Sequence, residues 1–131
     1  MVWIFISIIF IFNRDYRKSG LLILLGLSIG FILCNLCLKP LAARPRPCWN
    51  DKNIKLLIPV PHDYSFPSGH TISSVTASVI LSVTVQFGYI AIPVTVLISF
   101  SRLYLYVHYP SDILASVISG ILISSLILHL I

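Results

Sequence analysis

Three short clusters hold most of the side chains in this sequence that could do chemistry. The first is Lys39, followed after six residues by Arg46-Pro47. The second is Pro67-Ser68-Gly69-His70. The third is Ser101-Arg102, then five residues to His108 and three more to Asp112. Ser68 opens an apolar run, where a serine caps a helix well. A helix starting there aims free backbone N–H groups and its positive dipole end outward, a ready anion site, and Gly69 lets backbone approach closely. A plain capped helix would read the same way. Arg102 lies inside an apolar run, and a charge at a bilayer centre costs about 2.5–3.5 kcal/mol. Arg102 therefore either snorkels to the interface or shares an anion with Lys39 and Arg46. Three cations around a dianionic phosphate suit an in-line transfer whose charge sits on the equatorial oxygens. Arginine offers a bidentate fork and lysine a point charge.

His108 and Asp112 are four apart with Pro110 between them. Proline fits the first turn of a helix, so a helix is expected to begin near Tyr109-Pro110, with His108 at its mouth and Asp112 one turn in. An aspartate there holds one imidazole nitrogen and leaves the other free to attack. A polar turn in which Ser111 or Asp112 merely caps the helix is the bland alternative. Arg44, in Arg44-Pro45-Arg46-Pro47, is a possible substrate contact, but only Arg46 has the spacing from Lys39. His62 and Asp63 read as loop residues, His129 as interfacial, and Lys52 and Lys55 as solvated charges or headgroup contacts. Cys34-Asn35-Leu36-Cys37 has redox-motif spacing without the strand-then-helix context such a motif needs, so these cysteines read as small packing residues. No metal site is expected: only four acidic residues occur in the chain, and of them only Asp112 lies in the clusters.

The elements that must position these residues are membrane helices. Hydrophobic residues make up 57% of the 131 and charged ones 10%, against about 25% charged in a soluble domain. The expectation is an all-α integral membrane helical bundle in one domain, 1–131. It has four complete transmembrane helices (Gly20–Leu38, Ser68–Phe87, Tyr89–Val107 with a kink at Pro93, and Ile113–Ile131) and a short or truncated N-terminal helix. The segment Met1–Phe12 reaches only about 18 Å of a core about 30 Å thick. Lys39-Pro40 is expected to end the first full span. The long segment 39–66 holds five of the nine Lys and Arg residues and five of the eight prolines, and an irregular stretch of that length is usually functional or disordered. Within it, Ile54–Val60 is apolar enough to lie on the membrane surface. Helices joined by short loops alternate direction, so the loop, the start of the Ser68 helix and the turn at His108 must converge on one membrane face. The net charge of +5 fits an anionic substrate or membrane-flanking loops. A chain this apolar offers no large wet face for nucleic acid.

The three clusters resemble the signature motifs of the type 2 phosphatidic acid phosphatase superfamily, which also includes vanadium haloperoxidases. The resemblance covers residues 39–112, with all eleven signature positions in order. It implies a two-step reaction through a phosphohistidine, with His108 the nucleophile, Asp112 orienting it and His70 the acid–base group. It assigns Lys39, Arg46, Arg102, Ser68 and Gly69 to phosphate binding, and it needs no cofactor and no metal.

The expected partner is a membrane lipid phosphate in the bilayer, first of all a polyprenyl (undecaprenyl) diphosphate. Phosphatidic acid and phosphatidylglycerol phosphate are the alternatives, as is transfer to an acceptor other than water. An inactive anion-binding membrane fragment is the non-enzymatic alternative. Counting Lys and Arg outside the motifs leaves the two membrane faces balanced. Resemblance to cell-envelope phosphatases turns the active site outward from the plasma membrane. Oligomeric state is not legible.

Overall fold

The computed structural model describes residues 2–51 and 53–130, and every regular element among them is helical. Met1, Lys52 and Ile131 lie outside the described residues, and with them the headgroup reading of Lys52. Helix α1 (Val2–Phe12) packs back along α2 (Arg17–Phe31), and the Arg17 guanidinium donates to the Ile11 carbonyl at 3.1 Å across the turn.

Helix α2 does not stop at Lys39-Pro40. It widens into a π-helical stretch, Ile32–Leu38, and closes with α3 (Lys39–Ala42), ending at Ala43 in the left-handed region, φ 44°. Pro40 is tolerated because its missing N–H falls where the regular ladder is already broken by the π turn. A short helix α4 (Pro47–Asn50) follows, and then irregular chain to Ser68. Within that chain Leu57 and Val60 are exposed.

Helix α5 (Gly69–Thr84) is the axis of the molecule. It packs against α2, α6 (Ala91–Tyr104) and α7 (Pro110–His129). Its buried side chains alternate aliphatic groups (Ile72, Val75, Ile80, Leu81) with small hydroxyls (Thr71, Ser74, Thr76, Ser78). The hydroxyls find partners across the helix interfaces. Trp3 Nε1 donates to Ser74 Oγ at 2.9 Å, Thr95 Oγ1 to the Ser74 carbonyl at 3.0 Å, and Ser78 Oγ to the Ala91 carbonyl at 3.1 Å. Without water, association of helices rests on such bonds and on close packing. Close packing against α5 depends on two glycines in particular. A Cβ at Gly26 would sit 2.6 Å from Thr76 Cγ2, and one at Gly120 2.7 Å from Val75 Cβ.

Of the four expected complete spans, the helix lengths support two among the described residues. Two helical runs, one starting at Arg17 and the other Pro110–His129, are long and apolar enough to cross a membrane. Helix α5 ends at Thr84, with Val85 extended (φ −129°, ψ 131°), and does not reach Phe87. The third segment is a 3-10 turn, Gly88–Ile90, leading into α6, which ends at Tyr104. Tyr106 then takes a positive φ of 58°, so the chain turns back before Val107. Pro93 stands in the first turn of α6, where a missing N–H costs little. The last helix begins at Pro110, where the sequence places it.

Candidate active site

The three clusters meet at one end of the bundle, as alternating helices require. The connections are direct. Arg46 Nη1 donates to the Val107 carbonyl at 2.9 Å, Ser65 Oγ to Asp112 Oδ2 at 2.8 Å, and the Ser68 N–H to Ser116 Oγ at 2.7 Å.

The first cluster carries two buried cations, Lys39 and Arg46, 8% and 4% exposed. Both are satisfied by a residue that sequence reasoning left as ordinary loop. Asp63 is bonded to the Lys39 ammonium and accepts from Arg46 Nη2 at 2.7 Å, while its carbonyl accepts from Arg46 Nε at 2.8 Å. Burial by itself would raise the Asp63 carboxyl. The bonds and charges of Lys39 and Arg46 outweigh it and hold the group at about 2. No spacing rule points to Asp63, because its partners lie 24 and 17 residues away.

The third cluster is the most buried. Asp112 is fully enclosed and His108 is 5% exposed. Asp112 Oδ2 faces His108 Nδ1 at 3.6 Å and accepts from Ser65 Oγ and from the Tyr109 N–H at 2.9 Å. Its Oδ1 accepts from Arg44 Nη1 at 2.6 Å. The other imidazole nitrogen, Nε2, lies 3.2 Å from Arg46 Nη1. Burial first, and then the Arg46 charge, lower the imidazole to about 4 against the opposing pull of Asp112. At neutral pH the ring is therefore uncharged, and its Nε2 lone pair accepts from Arg46 Nη1.

The second cluster opens α5. Ser68 Oγ accepts from the Thr71 N–H at 3.4 Å and from Thr71 Oγ1 at 3.1 Å, and the residue is fully buried. Its hydroxyl is therefore engaged as the helix cap. The first two N–H groups of the helix, those of Gly69 and His70, have no intrahelical partners. A Cβ on Gly69 would meet only Cys34 Sγ, at an ordinary 3.5 Å. Packing against protein therefore does not demand glycine there, and the free side of Gly69 faces the cavity. His70 is exposed to the same cavity. Arg102 stands in the last turn of α6, where the helix dipole favours a cation. Its Nε donates to Ser101 Oγ at 3.3 Å, and among the described residues it has no carboxylate partner.

One cavity of about 980 Å³ joins these groups. Lys39, Arg46, Gly69, His70, Arg102 and His108 line it; Ser68 and Asp112 stand behind its wall. It continues away from the charged end between apolar side chains of α1, α2 and α6, among them Ile4, Leu27 and Ile98. A polar head, in which the Asp63 carboxylate lies beside the cations, thus opens into an apolar groove. Arg44 does not line the cavity. Among the described residues no group of three His, Cys, Asp or Glu side chains is disposed to hold a metal ion, and the three cysteines are unpaired.

Comparison with known proteins agrees with this geometry. The sequence profile of the PAP2 superfamily matches residues 19–131. The chain is 34% identical over 127 residues to an undecaprenyl-diphosphatase of Sulfolobus acidocaldarius, covering 95% of this chain and 61% of that protein. The crystal structure of Aquifex aeolicus LpxE superposes with a TM-score of 0.81 at 27% identity, over 95% of this chain and 74% of that one. The PAP2-type phosphatidylglycerolphosphate phosphatase of Bacillus subtilis superposes with a TM-score of 0.75 at 28% identity, over 98% and 66%. The chain thus spans about three fifths of the length of its curated relative.

Proposed function

This chain belongs to the PAP2 superfamily, and from that premise we propose that it is an integral membrane phosphatase that cleaves lipid phosphates through a phosphohistidine. The observation that carries the reading is the position of His108. Its imidazole is neutral, backed by Asp112 and set 3.2 Å from the Arg46 guanidinium at the wall of a cavity whose far end is apolar.

The reaction runs in two displacements. Lys39, Arg46, Arg102 and the N–H groups at the start of α5, around Ser68 and Gly69, hold the phosphoryl oxygens and stabilise their charge in the transition state. His108 Nε2 attacks phosphorus, the bond to the lipid oxygen breaks, and His70 protonates that oxygen. His70 then takes a proton from water, the resulting hydroxide displaces His108 from phosphorus, and inorganic phosphate leaves. Asp112, 3.6 Å from Nδ1, stabilises the positive charge that develops on the ring. The cations supply the charge that a metal would otherwise supply, so the reading requires no metal.

The substrate placed first is a polyprenyl diphosphate such as undecaprenyl diphosphate, in line with the Sulfolobus relative. The Bacillus structure supports phosphatidylglycerol phosphate as the second. The reading sets the charged end of the cavity at the outer face of the cell membrane. Phosphate release from a panel of lipid phosphates, measured in detergent with EDTA present for wild type and His108→Ala, tests it. Release by the wild type and none by the variant is expected. Full activity of His108→Ala would remove the nucleophile, and loss of activity in EDTA restored by a divalent metal would remove the metal-free scheme.

A further inference from the structure

Arg44, like Lys55, is a cation of the active-site end that does not line the cavity. It stands two residues before Arg46, yet its guanidinium turns the other way. Nη1 donates to Asp112 Oδ1 at 2.6 Å and to Ser111 Oγ at 2.7 Å, and the guanidinium carbon lies 4.1 Å from the centre of the Tyr109 ring. We propose that Arg44 is a positioning residue that fixes the nucleophile through Asp112 and makes no contact with phosphate. The inference rests on the reading of His108 as nucleophile.

The argument begins at Asp112. A fully buried carboxylate stays ionised only with a countercharge and hydrogen bonds to satisfy it. Among the described residues Arg44 is its only permanently charged partner; His108, neutral at pH 7, is the other group near it. With Oδ1 taken by Arg44, the carboxylate plane is set. Oδ2 is then left to Ser65 Oγ and the Tyr109 N–H, and it faces His108 Nδ1. An ionised acceptor on that side favours the ring tautomer with its proton on Nδ1, which leaves Nε2 unprotonated to accept from Arg46 Nη1 at the cavity wall. Without the guanidinium, Oδ1 loses its charged donor and the carboxylate plane is no longer held, so Oδ2 ceases to fix the proton on Nδ1 and the ring can carry it on Nε2, the atom that must attack. Wrong-tautomer histidine is a known way to lose catalysis with the fold intact.

The test reads the ring itself. Protein labelled with ¹⁵N-histidine, in detergent at pH 7, should show Nε2 of His108 unprotonated in the wild type. Arg44→Gln should move the proton wholly or partly to Nε2, and Arg44→Lys, which keeps the charge, should restore the wild-type spectrum. In turnover, Arg44→Gln should lower kcat by about 10- to 100-fold, the scale seen when a group orienting a functional histidine from behind is lost. KM should stay unchanged and lysine should rescue kcat. An unchanged tautomer and kcat in Arg44→Gln overturns the proposal. Binding of orthovanadate, a mimic of the transferred phosphoryl group, gives a second arm that stands even if Arg44→Gln does not fold. Arg44→Lys should bind it like wild type while Arg46→Lys binds it more weakly. Equal weakening by both lysine variants makes Arg44 a phosphate ligand and also overturns the proposal. The spectrum needs no turnover, so a failure of the phosphohistidine reading is seen separately, as activity that survives His108→Ala.

Discussion

At the scale of single residues, His108 can act as the proposed nucleophile only while its ring is unprotonated, and its burial beside Arg46 favours that state. The folded value of about 4 lies below the ordinary 6.5. The unfolded chain therefore binds the proton first as pH falls, and the protein loses stability from about pH 6.5 down to pH 4 and keeps it above. An NMR titration of the His108 ring should show a midpoint near 4. A midpoint at the ordinary value would mean that the ring is solvated and the pocket wall open. Gly69 gives a second prediction at this scale. A methyl there meets only Cys34 Sγ at 3.5 Å, so Gly69→Ala should unfold at the wild-type temperature yet bind orthovanadate more weakly. A fall in unfolding temperature would instead assign the glycine to packing. Both residues were legible in the sequence, because a capped helix start and a histidine four before an aspartate are local patterns. Asp63 was not, since nothing nearby distinguishes it from any loop carboxylate. Only the fold brings it to Lys39 and Arg46.

At the scale of elements, α5 sets the site because three neighbours pack on it while its first turn faces the cavity. The approach of α2 and α7 is close at Gly26 and Gly120. Gly120→Ala would push a methyl to within 2.7 Å of Val75 Cβ; overpacking of this kind costs about 1–3 kcal/mol. Thermal unfolding in detergent should record that loss, and an unchanged midpoint would mean that the two helices are free to separate. The ends of the elements were the least legible part. Hydropathy carries the second and third segments to Phe87 and Val107, because apolar residues continue that far. The chain nevertheless leaves the helix at Val85 and turns at Tyr106, where φ is 58°. The π stretch Ile32–Leu38 was likewise hidden, and it lets the helix run past Pro40 and deliver Lys39 into the site.

At the scale of the whole molecule, the cavity unites a charged head and an apolar groove that belong to no single helix. Trp3 and Ile4 of α1, Leu27 of α2 and Ile98 of α6 reach the groove, and Trp3 is pinned to α5 by its bond to Ser74. If the groove holds the hydrocarbon chain of the substrate, Leu27→Trp should raise KM for a long-chain lipid phosphate roughly tenfold, the equivalent of about 1.4 kcal/mol. It should leave a short-chain analogue unaffected. Equal effects on both substrates would place the tail elsewhere.

The sequence by itself determined that the chain is helical and membrane-like, that its three clusters share one face, and where α5 and α7 begin. Those properties follow from local facts: the length of apolar runs, a serine before one and a proline opening another, and alternation of direction across short loops. The tertiary structure decided which charge faces which. Arg44 and Arg46 are two residues apart and read alike, yet one is turned to Asp112, 68 residues away, and the other to Asp63 and His108. Composition and spacing do not encode that choice. It is set by how closely α2, α5 and α7 approach one another, and by which carboxylate, the buried Asp112 or the half-exposed Asp63, each guanidinium is left to neutralise.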